Sequence, residues 1–266
     1  MHRQDYQNIE FSITDGLAKL VLNRPDRLNS FNVDMHIDVK SALEQLMSVG
    51  AARCLLITGS GRGFCAGQDL NDRSVNGGDQ APDLSASIRE NYNPLIRAIT
   101  SLEMPVICAV NGVAAGAGAN IALACDIVLA AQSASFIQSF NKLGLVPDSG
   151  GTWMLPRLVG HARAMRLCLL GEKVSAGEAL AMGMISQVVE DEELQNIATD
   201  MGRQLANAPT LGLALIKRAL LVSSSNNLDQ QLDLECDLQG LAGRSDDYRE
   251  GVKAFMEKRL PKYQGH

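Results

Sequence analysis

The acidic side chain at position 148 stands in surroundings that suit acid–base chemistry. Asp148 follows Pro147, and several apolar residues lie near it in the sequence: Phe136, Phe140, Leu145 and Trp153. Apolar surroundings disfavour the ionised form of a carboxyl group, and a carboxyl group tuned in this way can both take and return a proton. Asp148 can instead cap a helix that begins just after it. The residues alone leave both roles open.

Asp148 also begins the run Asp148-Ser149-Gly150-Gly151, which resembles the nucleophile loop of trypsin-like proteases. Those enzymes are disulfide-bearing β-barrels and need a partner histidine in an Ala-Ala-His-Cys loop, which this sequence lacks. His36 and His161 have no partner pattern around them. A nucleophilic role for Ser149 is therefore not expected.

A run of small residues from Gly112 to Asn120 could stabilise negative charge with its backbone. Such residues expose N–H groups where a turn leads into a helix, and the helix dipole favours an anion there. One interpretation is an oxyanion hole for a carbonyl that becomes an enolate. The other is that small residues only allow close helix packing, and the two are about equally supported. The run completes neither a dinucleotide-binding fingerprint nor a P-loop.

A second glycine-containing loop, from Arg62 to Leu70, follows the apolar run Cys54–Thr58. That run has the length and composition of a buried strand. Ligands bind at the carboxyl ends of strands in α/β sheets, so the position of the loop favours a function. For Asp69, the capping of an ordinary turn is the better expectation.

Overall charge excludes some partners. The chain has 266 residues, a formal net charge of −6 and a pI of about 5.3, so it lacks the basic footprint of a nucleic-acid-binding protein. An anionic ligand would have to be held by a few local cations. The candidates for phosphate contacts are Arg24, Arg27, Lys258, Arg259 and Lys262. Taken singly, each is better explained as solvated surface charge.

Cysteine and histidine usage argues against a metal centre. The six cysteines are scattered without a C-x-x-C pair, and the four histidines are isolated or terminal. Neither a zinc site nor a disulfide framework is expected. The N-terminal residues lack the apolar core of a secretory signal, and no apolar run reaches the roughly 18 residues of a spanning helix. We expect a reduced, soluble, cytoplasmic protein without membrane partners.

The order of elements predicts an α/β core followed by helices. A hairpin turns at Asp15-Gly16, and Asn32 or Asp34 begins a helix. The remaining expectations are a polar surface loop at 71–83, a helix at 84–102 with a break at Pro94, strands at 106–110 and 127–130, a helix from Asn111-Gly112 to near Asp126, one late β-prone run at 185–189, and helices at 211–221, 228–241 and 247–258.

Several motifs in order resemble the crotonase (enoyl-CoA hydratase/isomerase) superfamily over nearly the whole chain. They are Asn23-Arg24-Pro25, Leu28-Asn29-Ser30-Phe31, Gly63-Phe64-Cys65-Ala66-Gly67-Gln68-Asp69-Leu70, Pro105-Val106-Ile107-Cys108-Ala109-Val110-Asn111-Gly112, Cys125-Asp126-Ile127 and Gly144-Leu145-Val146-Pro147 ahead of Gly150-Gly151-Thr152. The resemblance implies a ββα spiral core over residues 1–200 and a C-terminal helical trimerisation region over residues 201–266. Trimers or paired trimers are the implied assembly.

The resemblance also implies a site for a coenzyme A thioester, in which CoA is part of the substrate and no separate cofactor is used. By position, the two oxyanion-hole N–H groups belong to Gln68 and Ala117. The implied contacts to the acyl-CoA are Arg27, Leu28, Ala66, Asp69, Leu70, Phe140 and Lys258.

Two departures from the superfamily pattern bear on activity. Hydratases use two glutamates to activate water, and Asn120 and Phe140 occupy those positions here. Asn cannot act as a base and Phe excludes water, so hydration by the two-carboxylate route should be lost. Asp148 stands where isomerase and dehalogenase relatives carry their acid/base residue. The resemblance therefore implies an isomerase with one catalytic carboxylate.

Within the superfamily the likeness narrows to the isomerases of ring 1,2-epoxyphenylacetyl-CoA, which form oxepin-CoA in phenylacetate degradation. The shared stretches are residues 27–32, 61–73 and 241–252. A Δ3,Δ2-enoyl-CoA isomerase, an enoyl-CoA hydratase with an unorthodox base and a non-catalytic scaffold for a pathway partner are the alternatives. A complex with an enoyl-CoA hydratase of the same pathway is a further expectation.

Overall fold

The computed structural model describes residues 6–71 and 83–266, and the strands in these ranges form two sheets. In chain order they are β1 (Ile9–Thr14), β2 (Leu17–Leu22), β3 (Cys54–Gly59), β4 (Gly63–Cys65), β5 (Val106–Val110), β6 (Val113–Ala115), β7 (Ile127–Ala131), β8 (Ser135–Ile137), β9 (Lys173–Ser175) and β10 (Gln187–Val189). The larger sheet has the order β1-β2-β3-β5-β7-β10, and the smaller one has the order β4-β6-β8-β9. From β3 to β8, consecutive strands thus alternate between the two sheets.

The helices complete repeated ββα units around these sheets. They are α1 (Val33–Val49), α2 (Leu84–Ser87), α3 (Asn93–Ser101), α4 (Ala117–Leu123), α5 (Gly151–Val159), α6 (His161–Leu170), α7 (Ala176–Ala181), α8 (Leu194–Ala206), α9 (Thr210–Ser223), α10 (Leu228–Ala242) and α11 (Asp246–Glu257). The units β3-β4, β5-β6 and β7-β8 each send one strand to the larger sheet, the next to the smaller sheet, and then a helix. The expected α/β architecture with C-terminal helices is confirmed.

Burial on both faces explains the apolar runs of the central strands. Every residue of β3 and of β5 is buried, and β3 pairs in parallel with both β2 and β5. Parallel strands covered on both faces need apolar residues at each position rather than alternating ones. At the sheet edge, β1 and β2 pair antiparallel, and the predicted hairpin is confirmed by left-handed backbone at Asp15 and Gly16.

The predicted start of α1 is also confirmed, and of the two alternatives, Asn32 and Asp34, the structure selects the first. The Asn32 side chain accepts a hydrogen bond of 2.9 Å from the Met35 amide, so Asn32 is the N-cap and Asp34 lies within the first turn. Met35, Val39, Leu43 and Leu46 are buried on one face, as their spacing predicts.

Two expectations about elements are wrong, and a third is confirmed only in part. The helix expected to start at Asn111-Gly112 begins only at Ala117, because β6 comes first. The helix expected at 84–102 with a break at Pro94 is present as α2, a π-helical turn at Ile88–Tyr92, and α3, and this irregular turn ends two residues before Pro94, in the first turn of α3. The strand β9 was not expected at all. The predicted surface loop at 71–83 lies largely outside the described residues.

Partly buried polar contacts hold the C-terminal helices on the core. Lys217 on α9 pairs with Asp126 at 2.9 Å, and the Arg53 guanidinium donates hydrogen bonds to Thr210 Oγ1 and to the carbonyl oxygens of Ala208 and Tyr263. The expected boundary at residue 200 falls inside α8, a helix that packs on β3, β5 and β7. The division into 1–200 and 201–266 stays a prediction.

Among residues 6–71 and 83–266, no single helix is long and apolar enough to cross a membrane. Residues 191–206 and 210–223 pass that test together only across a bend of 106°.

The two sheets and α4 meet at glycines that leave no room for a side chain. A Cβ added at Gly118 would lie 2.3 Å from the Cys65 carbonyl oxygen and 2.7 Å from Cys65 Sγ. At Gly112 it would lie 2.3 Å from the Arg62 carbonyl oxygen. Strand β4 and its loop therefore approach the start of α4 more closely than any other residue type would allow.

We expect Gly118→Ala to lower the free energy of unfolding by about 2–4 kcal/mol, because the methyl group must displace the Cys65 backbone. Gly177→Ala is the matched control, since Gly177 is also helical and has nothing within 4 Å of its added Cβ. That variant should be neutral or more stable by up to about 1 kcal/mol. Urea unfolding of both variants measures the difference, and equal stability of the two would contradict this packing.

Candidate active site

The loop after β4 is held by a short parallel pairing with the segment before α1. The Phe31 amide donates to the Gly67 carbonyl oxygen at 2.7 Å, and the Asp69 amide donates to the Phe31 carbonyl oxygen at 2.8 Å. In parallel pairing, these two bonds flank Gln68 and turn its own N–H to the other side of the loop. The backbone N–H expected to contact a substrate is thereby oriented by its neighbours.

Gly67 brings this loop against the first residue of α4. Its backbone is left-handed, with φ of +90°, and an added Cβ would lie 2.8 Å from the Ala115 carbonyl oxygen and 3.3 Å from the Ala117 amide nitrogen. Ala117 begins α4, so its N–H has no acceptor within the helix. The backbones of Gln68 and Ala117 therefore lie next to each other, where the Gly67 loop meets the start of α4. An oxyanion hole needs two main-chain donors arranged in this way.

A buried ion pair stabilises the far end of the loop. Arg24 Nη2 lies 3.0 Å from Asp69 Oδ2, and the other Asp69 oxygen accepts from the Asn71 amide at 3.1 Å. Burial acts to raise the pKa of Asp69, but the hydrogen bonds from Asn71 and Arg24 outweigh it and hold that pKa below its usual range. The expectation that Asp69 caps a turn is confirmed, whereas the expectation of a solvated Arg24 is wrong.

An aromatic cluster lies behind Gln68 and was missed by the sequence analysis. The Tyr92 hydroxyl, which is fully buried, donates to Gln68 Oε1 at 2.9 Å. The His36 ring lies edge-on to Tyr92 at 4.5 Å between centroids and contacts Phe31 at 4.7 Å. Tyr92 ends the π-helical turn, and such turns are frequent at functional sites. His36 is buried on α1 next to Met35 of the apolar stripe, and this position in the sequence could have indicated that His36 is buried.

Asp148 lies on the loop before α5, half-buried and oriented by its neighbour. Ser149 is buried and donates its hydroxyl hydrogen to Asp148 Oδ1 at 2.9 Å. The backbone of Ser149 is left-handed, with φ of +52°, and Gly150 follows with φ of +76°. Gly150 occupies the N-cap position of α5, so the alternative role of Asp148 as the N-cap of that helix is wrong.

Asn120 connects the helix that carries Ala117 to the loop that carries Asp148. It lies one turn into α4 and is fully buried, and its Nδ2 donates to the main-chain oxygen of Asp148 at 2.8 Å. Phe140 is also buried, with ring atoms 3.8–3.9 Å from where a Gly116 Cβ would stand. Of the two residues at the expected glutamate positions, Asn120 thus lies on α4, and Phe140 lies beside Gly116, which directly precedes it.

The remaining expected contacts fall into two groups. Arg27 is exposed, and Leu28 accepts a hydrogen bond of 2.9 Å from the Ala66 amide, so the segments that carry Arg27-Leu28 and Ala66–Leu70 adjoin. Leu70 is 55% exposed. Lys258 is exposed at the C-terminal end of α11, and it belongs to the C-terminal helices rather than to these two adjoining segments. The roles of all these residues in binding stay predictions.

Neither a reactive thiolate at Cys65 nor a cluster of metal ligands is present among the described residues of the site. Burial raises the pKa of the Cys65 thiol to about 12, against a smaller opposing effect of the hydrogen bond from the Gly67 amide, so this thiol is neutral. No cluster of three or more metal-ligating side chains occurs within the described ranges.

Comparison with known proteins agrees with this geometry. A sequence profile of the enoyl-CoA hydratase/isomerase family matches residues 12–266. The 1,2-epoxyphenylacetyl-CoA isomerase of Escherichia coli (strain K12) is 58% identical over 253 residues, which are 95% of this chain and 97% of that protein. A protein named probable enoyl-CoA hydratase from Rhodobacter capsulatus is 47% identical, over 98% of this chain and 99% of its own length.

Solved structures show the same fold. The crystal structure of an enoyl-CoA hydratase from Bacillus anthracis matches with a TM-score of 0.90 at 32% identity, covering 98% of this chain and 100% of that one. The profile match and these identities confirm the resemblance found in the motifs. This chain therefore belongs to the enoyl-CoA hydratase/isomerase family, the crotonase superfamily.

Proposed function

We propose that the protein is an isomerase of acyl-CoA thioesters and that its substrate is ring 1,2-epoxyphenylacetyl-CoA, which it converts to oxepin-CoA. The observation that carries this proposal is the set of residues around the start of α4. Asp148 joins this set through its main-chain oxygen, which accepts from Asn120, and in the proposal its carboxylate is the base; the two positions that carry glutamate in hydratases hold Asn120 and Phe140, both buried. The 58% identity to the E. coli isomerase supports the choice of substrate.

In this proposal, the thioester oxygen accepts hydrogen bonds from the N–H groups of Gln68 and Ala117. These donors stabilise the enolate that forms when Asp148 removes a proton from the carbon α to the thioester. The ring carbon–carbon bond shared with the epoxide opens as the π electrons rearrange, and Asp148 returns the proton to a ring carbon. One C–H bond breaks and another forms, so the product is an isomer and no water or redox partner is consumed.

A single carboxylate is sufficient for this reaction because the proton leaves and re-enters the same molecule. Hydration needs a second group that activates water. Asn120 cannot serve, since an amide has no basic site and this one already binds the Asp148 main chain. Phe140 presents an apolar ring beside Gly116, where water would otherwise reach the start of α4.

Further parts of the proposal follow from the family. Arg27, Leu28, Ala66, Asp69, Leu70, Phe140 and Lys258 would contact the acyl-CoA, with no cofactor beyond the CoA of the substrate. A trimer or a dimer of trimers, a cytoplasmic location and a complex with an enoyl-CoA hydratase of the same pathway belong to the same proposal.

A second candidate function is Δ3,Δ2-enoyl-CoA isomerisation, since moving a double bond also needs one base and an oxyanion hole. Enoyl-CoA hydration is a weaker candidate and is favoured by the name of the R. capsulatus relative. Parallel assays with the ring epoxide, a 3-enoyl-CoA and crotonyl-CoA separate the three. We expect a product of unchanged mass from the epoxide and negligible hydration of crotonyl-CoA. Rapid hydration without epoxide turnover would contradict the proposal.

We expect Asp148→Asn to reduce kcat for epoxide isomerisation by about 10²–10⁴-fold, because the amide cannot carry the proton. Binding of phenylacetyl-CoA, measured by calorimetry, should stay within a few fold of wild type. Asp34→Asn, at an exposed position in the first turn of α1, is the charge-matched control and should keep wild-type turnover. Wild-type kcat in Asp148→Asn would rule out this residue as the base.

We expect Ser149→Ala to move the acid limb of the kcat/KM profile upward by about 0.5–1 pH unit. The Ser149 hydroxyl donates to the Asp148 carboxylate, and removing a donor disfavours the ionised form that acts as the base. The profile, measured from pH 5 to 8, is compared with that of Ser133→Ala, whose hydroxyl lies on an exposed turn. Unmoved acid limbs in both variants would show that Ser149 does not act on Asp148.

A further inference from the structure

A chain of two side-chain amides leads from the smaller sheet to the main chain of Asp148. Gln138 Nε2 donates to Asn120 Oδ1 at 2.8 Å, and Asn120 Nδ2 donates to the Asp148 carbonyl oxygen at 2.8 Å. Gln138 directly follows β8, Asn120 lies on α4, and Asp148 precedes α5. Three elements are thus joined by two hydrogen bonds, and neither bond involves the carboxyl group of Asp148.

The chemistry of the groups fixes the direction of this chain. A main-chain carbonyl oxygen can only accept, so Asn120 must turn its NH₂ group toward Asp148. The amide oxygen of Asn120 then faces Gln138, which must donate in turn. A carboxylate at position 120 would place an acceptor against the carbonyl oxygen of Asp148, and this contact is repulsive.

The two hydrogen-bonded amides are buried and tightly packed, so they have little freedom to rearrange. Asn120 is fully buried and Gln138 is 5% exposed. A Cβ added at Gly151 would lie 2.3 Å from Asn120 Nδ2, so the amide fills the space at the start of α5. A water molecule cannot enter between Asn120 and this backbone without displacing one of them.

We infer that Asn120 and Gln138 are positioning residues for Asp148: they hold its main chain at a fixed distance from the N–H of Ala117, three residues before Asn120 on α4. This inference rests on the proposed function, in which Asp148 moves the proton and Ala117 binds the thioester oxygen. It also explains why position 120 holds asparagine instead of the glutamate of hydratases, because the residue there must donate a hydrogen bond and an ionised glutamate cannot. Asparagine in place of glutamate thus removes one base and at the same time holds the other base, Asp148, in position.

Asn120→Asp provides a test that a general packing role would not pass. Above its own titration, Asp at position 120 is ionised, faces the Asp148 carbonyl oxygen and displaces the loop. When protonated, it can donate to that oxygen while its other oxygen accepts from Gln138, which restores the chain. Full burial makes protonation of the introduced carboxyl group accessible within the assay range. Asn120→Ala is the matched control, since it lacks a donor at every pH.

At pH 8 we expect both variants to lose about 100-fold in kcat with KM within a few fold of wild type, because the base is misplaced while the CoA contacts remain. Between pH 8 and 5.5 the kcat ratio of Asn120→Asp to wild type rises about tenfold as the introduced group becomes a donor. The corresponding ratio for Asn120→Ala stays flat. Gln138→Met, which removes the outer donor, should lose less activity than Asn120→Ala, because Asn120 keeps its bond to Asp148.

Other groups that face α4 do not reproduce this pattern. The Asp148 carboxyl group is present in all three proteins, and the Asn120→Ala ratio shows how much of any pH dependence comes from displacing it. The Cys65 thiol on β4, whose pKa burial raises to about 12, stays neutral. The basic residues on the neighbouring segments, Lys142 and Arg157, are exposed. A parallel pH dependence of the two ratios would overturn the inference, as would wild-type kcat in Asn120→Ala.

Crystal structures of the variants separate this inference from the proposed function. If wild-type protein does not isomerise the ring epoxide, the proposed function fails, and the position of the Asp148 carbonyl oxygen decides the inference instead. We expect that oxygen to move by about 1 Å or more in Asn120→Ala crystals, a displacement large enough to affect catalysis. An unmoved Asp148 in that structure would overturn the positioning role whatever the substrate is.

Discussion

The close approach of two backbone segments, the Gly67 loop and the start of α4, is the constraint on which the candidate site depends. It is possible only because Gly67 adopts a left-handed backbone and Gly118 leaves room for the Cys65 carbonyl. The pairing with Phe31 and the contact of Tyr92 with Gln68 hold the loop from its other sides. Main-chain donors fixed in this way need no reorganisation when charge develops on a bound oxygen.

Because the proposed oxygen-binding groups, the N–H groups of Gln68 and Ala117, belong to the main chain, the side chains around them are free to determine the reaction. In the proposed function only the N–H of Ala117 is used, so alanine serves at this position as well as glycine. In the proposed function, the reaction is set by the residues at positions 120, 140 and 148, which lie on α4, on the short helical turn that follows β8, and on the loop before α5. A fold shared by hydratases and isomerases can thus change its chemistry by exchanging a few side chains.

The sequence was sufficient to predict the strands and helices with long apolar patterns. β3, β5 and α1 follow from buried runs and one capped amphipathic stretch, because their signals extend over five or more residues. β6 and β9 have only three residues each, too few for periodicity to separate a strand from a turn or helix. The motifs identified the loops of the site, but the contacts of Arg24, Tyr92 and Asn120 depend on tertiary packing, which no local pattern encodes.

Replacement of a carboxylate by an amide changes more than the number of bases. Asn120 donates to the main-chain oxygen of Asp148 and accepts from Gln138, and an ionised glutamate could not donate the first of these bonds. Asn120 is thus bonded to both Gln138 and Asp148, while Gln138 Oε1 is buried with no hydrogen-bond partner among the described residues, and an apolar ring, Phe140, occupies the other position. In the proposed function, with one proton carrier, such an arrangement is favourable, because excluding water would remove the competing reaction while the two amides would keep the carrier in place.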